Sequence, residues 1–483
     1  MAPTALPEQA ECLKAAGLEA RILLPASPEY AVRIDSYWSN SAKLRPACIL
    51  QPCSALEVAS AVKALAAAGQ KFAVRSGGCN FWPSNNIENG VTIDLGQMGS
   101  ISYDNESETV RIGPGARWGQ VYERLAKFDR AVAGGREATV GIAGLVLGGG
   151  NTLFTGRYGF ACDQVVEFEV VLADGRIIVA DAGGDHSDLF LTLKGGGNNF
   201  GIVTALTMRA VRCGSIWGGG AMLPVDVVPA AADAFVEFTE KVADDPDSNL
   251  ICMVAHLQPK PGIVIAALYA NMAGVEKPSI FSKWLAFPEL FASYKKTTIL
   301  ELMVTTEQAT GYRGIWFTMS LKNDASVIIK AVELHEKLVA DMEAHIADHD
   351  FKTQCIFQPL PRLFSQHSVA AGGNVLGIEN NGVDGILWGA HVMVRTAELE
   401  AWAYPRVRQF YEDVRDFAAS LPVPGGGLLS WITANYANPS QEVLQSYGEE
   451  NVSRIREAAA KYDPNRVFQH LCPGGFKISA VKE

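Results

Sequence analysis

Residues 71–80 read Lys71-Phe72-Ala73-Val74-Arg75-Ser76-Gly77-Gly78-Cys79-Asn80. The short apolar run Phe72 to Val74 has the character of a strand, and it leads directly into two adjacent glycines. A backbone bare of side chains can press against a ligand and aim its N–H groups at an anion. Arg75 adds a positive charge beside it. The stretch reads as a strand feeding an anion-binding loop, with Cys79 as an unexpected last residue.

Working outward, residues 54–70 have the pattern of a helix that starts with a capping box. Ser54 is a capping residue with Glu57 three positions on, Val58, Val62, Leu65 and Ala66 line one face, and Gly69 is placed to end it. A second strand is expected at Val91–Leu95. Residues 165–180 form two alternating runs around Asp174-Gly175, a strong hairpin signal. Two glycine-rich stretches flank the hairpin. Residues 134–159 contain nine glycines, including Gly148-Gly149-Gly150, and Gly195-Gly196-Gly197-Asn198-Asn199-Phe200-Gly201 runs into Ile202-Val203.

The composition narrows the function. The chain has 483 residues, 48% hydrophobic and 19% charged, with a net charge of −11. That balance fits a globular protein of two or three domains and argues against nucleic acid or an acidic membrane as partner. No apolar run approaches the ~18–20 residues of a membrane span. The N-terminus lacks the basic and apolar regions of a signal peptide, so a cytoplasmic protein, or one whose leader has been removed, is expected. Nine scattered cysteines give no disulfide framework and no CxxC metal pair, which favours free buried thiols. No metal site is expected: His345 and His349 have helical i, i+4 spacing but no HExxH glutamate, and a solvated face explains them.

Beyond about residue 213 glycine thins out, a helix is expected over 326–347, and strand-like runs follow at 262–269, 314–321 and 386–394. From about 428 the chain returns to the texture of its first part, with a helix near 440–462. The expected division is 1–212, 213–427 and 428–483. Nucleotide motifs of other folds are absent: Gly113-Pro114-Gly115-Ala116-Arg117-Trp118 misses GxGxxG at its last position, and no Walker motif occurs.

The order of the motifs is itself informative. The series runs through residues 46–58, Arg75-Ser76-Gly77-Gly78, Thr92–Leu95, Val110–Ala116, residues 139–150, 157–165 and 170–175, and Leu193–Thr204, and it closes with Asn435-Tyr436 and Tyr462-Asp463-Pro464. Together these stretches resemble the FAD-linked oxidoreductases of the berberine-bridge-enzyme-like and vanillyl-alcohol-oxidase family (PCMH-type), in particular its fungal members, over about residues 40–212 and 428–477. The resemblance implies an α+β fold: a two-part FAD-binding domain interrupted by an α+β substrate domain whose antiparallel sheet covers the flavin. FAD contacts would fall on Arg75, Ser76, Gly77, Gly78, Cys79 and Asn80, on Thr139, Val140, Gly141, Gly144, Gly148 and Gly149, on Gly201, Ile202 and Val203, and on Asn435. It also implies that Cys12 and Cys48 can pair, as in secreted relatives.

Bicovalent members attach the flavin through a histidine after RSGG and a cysteine before VG(V/I)xG. Cys79 and, most nearly, Ala138 stand at those positions here. The expectation is non-covalent FAD, with a single linkage through Cys79 as the alternative.

For catalysis the resemblance points to Tyr436, as a base or a group that orients a substrate hydroxyl. His391, in the strand-like run 386–394, is a second candidate and by alternation shares a face with Gly389 and Met393. Trp316, Phe317 and Tyr312 are candidates for an aromatic substrate pocket. Glu301 and Glu379 are carboxylate bases by type alone. The activity the resemblance implies is FAD-dependent oxidation of a small organic molecule, a secondary-metabolite intermediate, by hydride transfer to flavin N5 with a Tyr or His base and O2 as acceptor. The alternative is a non-redox isomerase or cyclase on the same scaffold.

Overall fold

The computed structural model describes residues 6–257, 262–346 and 348–482. Its architecture is α+β and rests on three sheets. The first has four strands, β1 (Ile22–Leu23), β2 (Cys48–Leu50), β3 (Phe72–Arg75) and β4 (Val91–Asp94), in the order β1-β2-β4-β3, with β4 parallel to both β2 and β3. The helix Ala55–Ala67 covers it. Ser54 Oγ accepts from the Glu57 N–H at 3.2 Å, and the Glu57 carboxylate accepts from the Cys53 N–H at 2.7 Å, so the start of the helix is capped from both sides. Val58, Ala61, Val62 and Leu65 are buried beneath it, and Gly69 turns the chain out at φ +63°.

The C-terminal segment docks on the same strand that carries the glycine loop. Leu471 O accepts from the Phe72 N–H at 2.7 Å, and the rings of Phe72 and Phe468 meet edge to face. Asp463 holds that turn by accepting from the N–H groups of Val467 (2.8 Å) and Phe468 (2.7 Å).

The second sheet is antiparallel, with β5 (Ile101–Asp104), β6 (Thr109–Ile112), β8 (Val165–Val171), β9 (Ile177–Asp181) and β10 (Ile202–Arg209) in the order β5-β6-β10-β8-β9. The hairpin expected around Asp174-Gly175 is β8–β9, with Gly175 at φ +85°. Two short strands, β7 (Arg130–Ala131) and β11 (Val211–Arg212), pair beside it.

The third sheet is the largest. Strands β12 (Ile216–Pro224), β13 (Ser248–His256), β14 (Ile263–Asn271), β15 (Phe291–Ala292), β17 (Arg313–Lys322), β18 (Lys352–Leu360), β19 (Gly385–Val394) and β20 (Leu428–Leu429) run in the order β15-β12-β14-β13-β18-β19-β17-β20, and β16 (Lys295–Thr297) pairs with β12. Helices Val228–Lys241, Ala325–His345 and Ala397–Ala419 pack on one face, where Phe357 meets Phe235, Trp388 meets Phe410 and Phe317 meets Tyr411. Because side chains alternate across a strand, Trp316, Gln354, Gln358 and His391 stand on the opposite face.

Two expected elements differ in extent. The helix expected over 440–462 is Glu449–Tyr462, because Gly448 at φ +89° breaks it from a short 3₁₀ turn, Leu444–Tyr447. The helix Ala325–His345 ends at His345, whose ring stacks on Trp402 at 3.8 Å, so His345 and His349 do not share a helix face. All nine cysteines are free, and Cys12 Sγ donates to Ala64 O instead of bonding Cys48. Among the described residues no helix is long and apolar enough to cross a membrane.

Candidate active site

Two loops meet where β3 ends. Gly77 and Gly141 lie backbone to backbone: a Cβ on Gly77 would sit 2.4 Å from Gly141 N, and one on Gly141 would sit 2.3 Å from Gly77 N. Only glycine permits that approach. Among the described residues no protein acceptor takes the N–H groups of Gly77, Gly78, Cys79 or Asn80, which leaves a run of bare donors. Gly144 is exposed, and a Cβ there would meet no atom within 4 Å. Uncommitted donors on one loop and an open glycine surface on the other fit the diphosphate of FAD.

The neighbouring side chains hold these loops in place. Arg75 is fully buried and turns away from the loop face, donating to Arg33 O at 2.7 Å and to Ser36 Oγ at 2.8 Å while lying over the Tyr37 ring. It also fills the space behind Gly78 (φ +71°), where a Cβ would sit 2.6 Å from its Nε. Ser76 Oγ donates to Pro114 O at 2.5 Å, and Asn80 Nδ2 donates to Ser84 Oγ at 2.6 Å. The cation that reaches across the loops is Arg117. Its guanidinium donates to Gly77 O at 3.0 Å and to Thr139 O, and it lies 3.5 Å from Cys79 Sγ.

Cys79 Sγ donates to Thr139 O at 3.2 Å. Burial pushes its thiol above the ordinary cysteine range, and Arg117 only partly offsets this. The residue is therefore a protonated thiol near neutrality, which is a weak nucleophile. Ala138 packs its methyl toward Gly119.

Asn435 binds the second loop. It accepts from Gly150 N at 3.1 Å and donates to Leu145 O at 3.2 Å, while a Cβ on Gly148 would sit 2.5 Å from its Nδ2. Gly149 (φ +101°) faces Leu376. Val140 O accepts from the Trp118 N–H at 3.0 Å. Gly201, Ile202 and Val203 lie in the core at the start of β10, where a Cβ on Gly201 would sit 2.6 Å from Val170.

Tyr436 stands next to Asn435 and reaches the open face of the large sheet. Its ring stacks on Trp316 (5.2 Å, 11°), and Trp316 stacks on His391 (4.2 Å, 18°). Trp316 thus separates the two residues expected to act as bases. Tyr436 Oη accepts from Arg136 Nη2 at 2.8 Å, and the same nitrogen donates to Gln358 Oε1 at 2.6 Å. His391 is fully buried, with Nδ1 against Gln354 Oε1 at 3.1 Å and Nε2 unpartnered. Burial lowers its pKa to about 3, so the ring is neutral.

Other candidates lie elsewhere. Phe317 is on the helix-covered face, and Tyr312 is tied to Asp350 and Arg395. Glu301 accepts from Thr297 at its helix start, and Glu379 is exposed on a turn.

Residues 46–181 match the family model described as an FAD binding domain. Over 461 residues the chain is 35% identical to the FAD-dependent monooxygenase drtC of Aspergillus calidoustus, covering 94% of this chain and 87% of that protein. The chain belongs to this family of FAD-dependent oxidoreductases. It is also 36% identical over 465 residues to the FAD-dependent monooxygenase sdcF of Emericella nidulans, covering 95% of this chain and 96% of that protein. Two solved structures share the fold of this FAD-dependent oxidoreductase. The 6-hydroxy-D-nicotine oxidase of Arthrobacter nicotinovorans superposes with TM-score 0.75 at 21% identity, covering 93% of this chain and 96% of that one. The berberine bridge enzyme of Eschscholzia californica gives 0.74 at 17%, covering 97% and 99%.

In this oxidoreductase, sequence reasoning missed Arg117, Arg136, Glu137, Gln354 and Gln358. The Glu137 carboxylate lies 3.5 Å from Gln308 N, and burial together with Glu307 pushes it up to about 7. Gln308 Oε1 accepts from Gln354 Nε2 at 3.0 Å, so Glu137 is joined to His391 through the backbone N–H and side-chain amide of Gln308 and the side-chain amide of Gln354. A charged pair, Arg136-Glu137, directly before the Thr139-Val140-Gly141 loop was the available signal.

Proposed function

We propose that the chain oxidises a small organic molecule of secondary metabolism, with Tyr436 taking the substrate proton and dioxygen as final acceptor. FAD, held by the bare N–H groups of the Gly77-Gly78 loop and the open surface at Gly144, would supply the two-electron oxidation. The observation that carries the reading is the placement of Tyr436. Its neighbour Asn435 is bonded to the glycine loop, its ring is fixed by Trp316, and its oxygen is fixed by Arg136. A phenol oxygen held in that way presents one defined position to a substrate. His391 acts in this reading as a positioning residue: neutral and buried, it holds Trp316, which in turn sets the Tyr436 ring.

The polar contacts of Cys79 and the direction of its pKa support FAD held without a covalent bond. The division at 212 and 427 is proposed on the same footing, with the large sheet as the substrate side.

Incubating the purified protein with pathway intermediates in air tests the reading. The expected result is oxygen consumption matched one to one to a product that has lost two hydrogens. A product of unchanged mass, formed without oxygen uptake, would overturn it.

A further inference from the structure

The outer edge of β17 is open over a short stretch. Alternate residues along this strand turn their N–H and C=O away from β19. At one end Tyr312 O accepts from the Asn40 N–H at 2.8 Å. At the other, the Gln441 amide takes both groups of Thr318, with Oε1 accepting from the N–H at 3.1 Å and Nε2 donating to the oxygen at 2.7 Å. Gly314 and Trp316 lie between these caps and face the same way. Among the described residues no protein group pairs with the N–H or C=O of either on that side. Gly314 is buried, so leaving its donor and acceptor bare is costly.

Gly314 opens on a cavity of about 280 Å³, close to the ~300 Å³ at which small-molecule sites begin. Trp82, Pro83, Tyr404 and Pro439 give it flat, largely apolar walls. Its charges are matched within the protein: Arg313 Nη1 donates to Glu400 Oε2 at 2.7 Å, and Ser41 Oγ donates to Glu400 Oε1 at 2.5 Å. Tyr404 Oη donates to Asn438 Oδ1 at 3.0 Å. Against these committed side chains, the backbone N–H and C=O of Gly314 are left free.

We propose that this cavity binds a neutral small molecule carrying a peptide-type amide, whose acylamino N–H and following carbonyl exchange hydrogen bonds with Gly314 as a neighbouring strand residue would. A bare backbone pair selects one donor and one acceptor at strand spacing. The ion pair of Arg313 and Glu400 offers no free charge to an ionic ligand. The caps at Tyr312 and Thr318 stop a strand of another protein from running along the edge, so the occupant is short. Trp82 and the two prolines supply a surface for its apolar side chain. Neither the glycine loops nor Tyr436 line this cavity, which makes it a second site, apart from the one proposed for oxidation.

The test uses the FAD-loaded protein and saturation-transfer NMR titrations with N-acetyl-leucine methylamide, its analogue methylated on the leucine nitrogen, and a capped hexapeptide of leucine and threonine. The first probe is expected to bind ~5-fold more tightly than the methylated one, as loss of one hydrogen bond implies, and at least as tightly as the hexapeptide. Pro439 is exposed at the rim, and Pro439→Trp is expected to fill the cavity and abolish binding, with the flavin spectrum and melting temperature near wild type. Should that variant fail to fold, Pro83→Trp is expected to have the same effect. Equal affinity for the first two probes, tighter binding of the hexapeptide, no binding of any probe, or binding unchanged in a folded variant would overturn the proposal.

Discussion

Tyr436 and Arg136, 300 positions apart in the chain, share a hydrogen bond of 2.8 Å. It joins the C-terminal segment to the loop before Thr139-Val140-Gly141. Through Gln358 the same guanidinium reaches the large sheet, so one arginine ties together three parts of the chain.

Replacing Tyr436 by Phe removes the oxygen and leaves the stack on Trp316. Turnover is expected to fall by ~10²–10⁴-fold, the range for loss of an acid–base group. The visible flavin spectrum and the melting temperature should stay near wild type. Steady-state rates alongside a thermal melt check both halves.

The glycines can be told apart by substitution. Gly141→Ala puts a methyl 2.3 Å from Gly77 N, and such overpacking costs about 1–3 kcal/mol while parting the two loops. FAD retention through gel filtration should drop. Gly144→Ala meets nothing and favours its helix by up to ~1 kcal/mol, so stability should hold or rise while FAD affinity falls. Denaturation curves and fluorescence titration with FAD separate the two effects.

Glu137 makes stability depend on pH. Its folded pKa of about 7 lies above the unfolded glutamate value of ~4.3, so the native state binds the extra proton between them. Stability is therefore lost as pH rises through that window, and the cost is complete above about pH 7. Glu137→Gln removes the cost. The variant should match wild type near pH ~4 and exceed it by on the order of 2 kcal/mol near pH ~8, as chemical denaturation at the two pH values would show. Glu307 and Arg136 are the charged groups that act on this carboxyl, and Glu307→Gln should shift the window downward.

Cys79 should leave the flavin free. Acid precipitation is expected to release all of the colour into the supernatant, and the Cys79 peptide should have its unmodified mass. Colour retained in the pellet, with a flavin-sized increment on that peptide, is the opposite outcome.

Local signals were well read from the chain. The Ser54 cap, the Asp174-Gly175 turn and the strand before Gly77-Gly78 each depend on residues a few positions apart, and the structure has all three. The site's polar wall was hidden because it depends on long-range register. Gln354 and Gln358 mean nothing chemically until β18 pairs with β19 and sets Gln354 opposite His391. Arg75 showed the reverse problem. Its type suggested an anion contact, but the carbonyls of Arg33 and Ser36 draw it behind the loop, and Arg117, from a segment read only as a failed nucleotide motif, spans the loop face.

Anaerobic mixing of the FAD-loaded protein with its substrate, followed by flavin absorbance, tests oxidation in this site most directly. The expected result is rapid bleaching in wild type, bleaching slowed by at least ~100-fold in Tyr436→Phe, and recovery of colour when air is admitted. Product formed without bleaching, or bleaching equally fast in the variant, would contradict it.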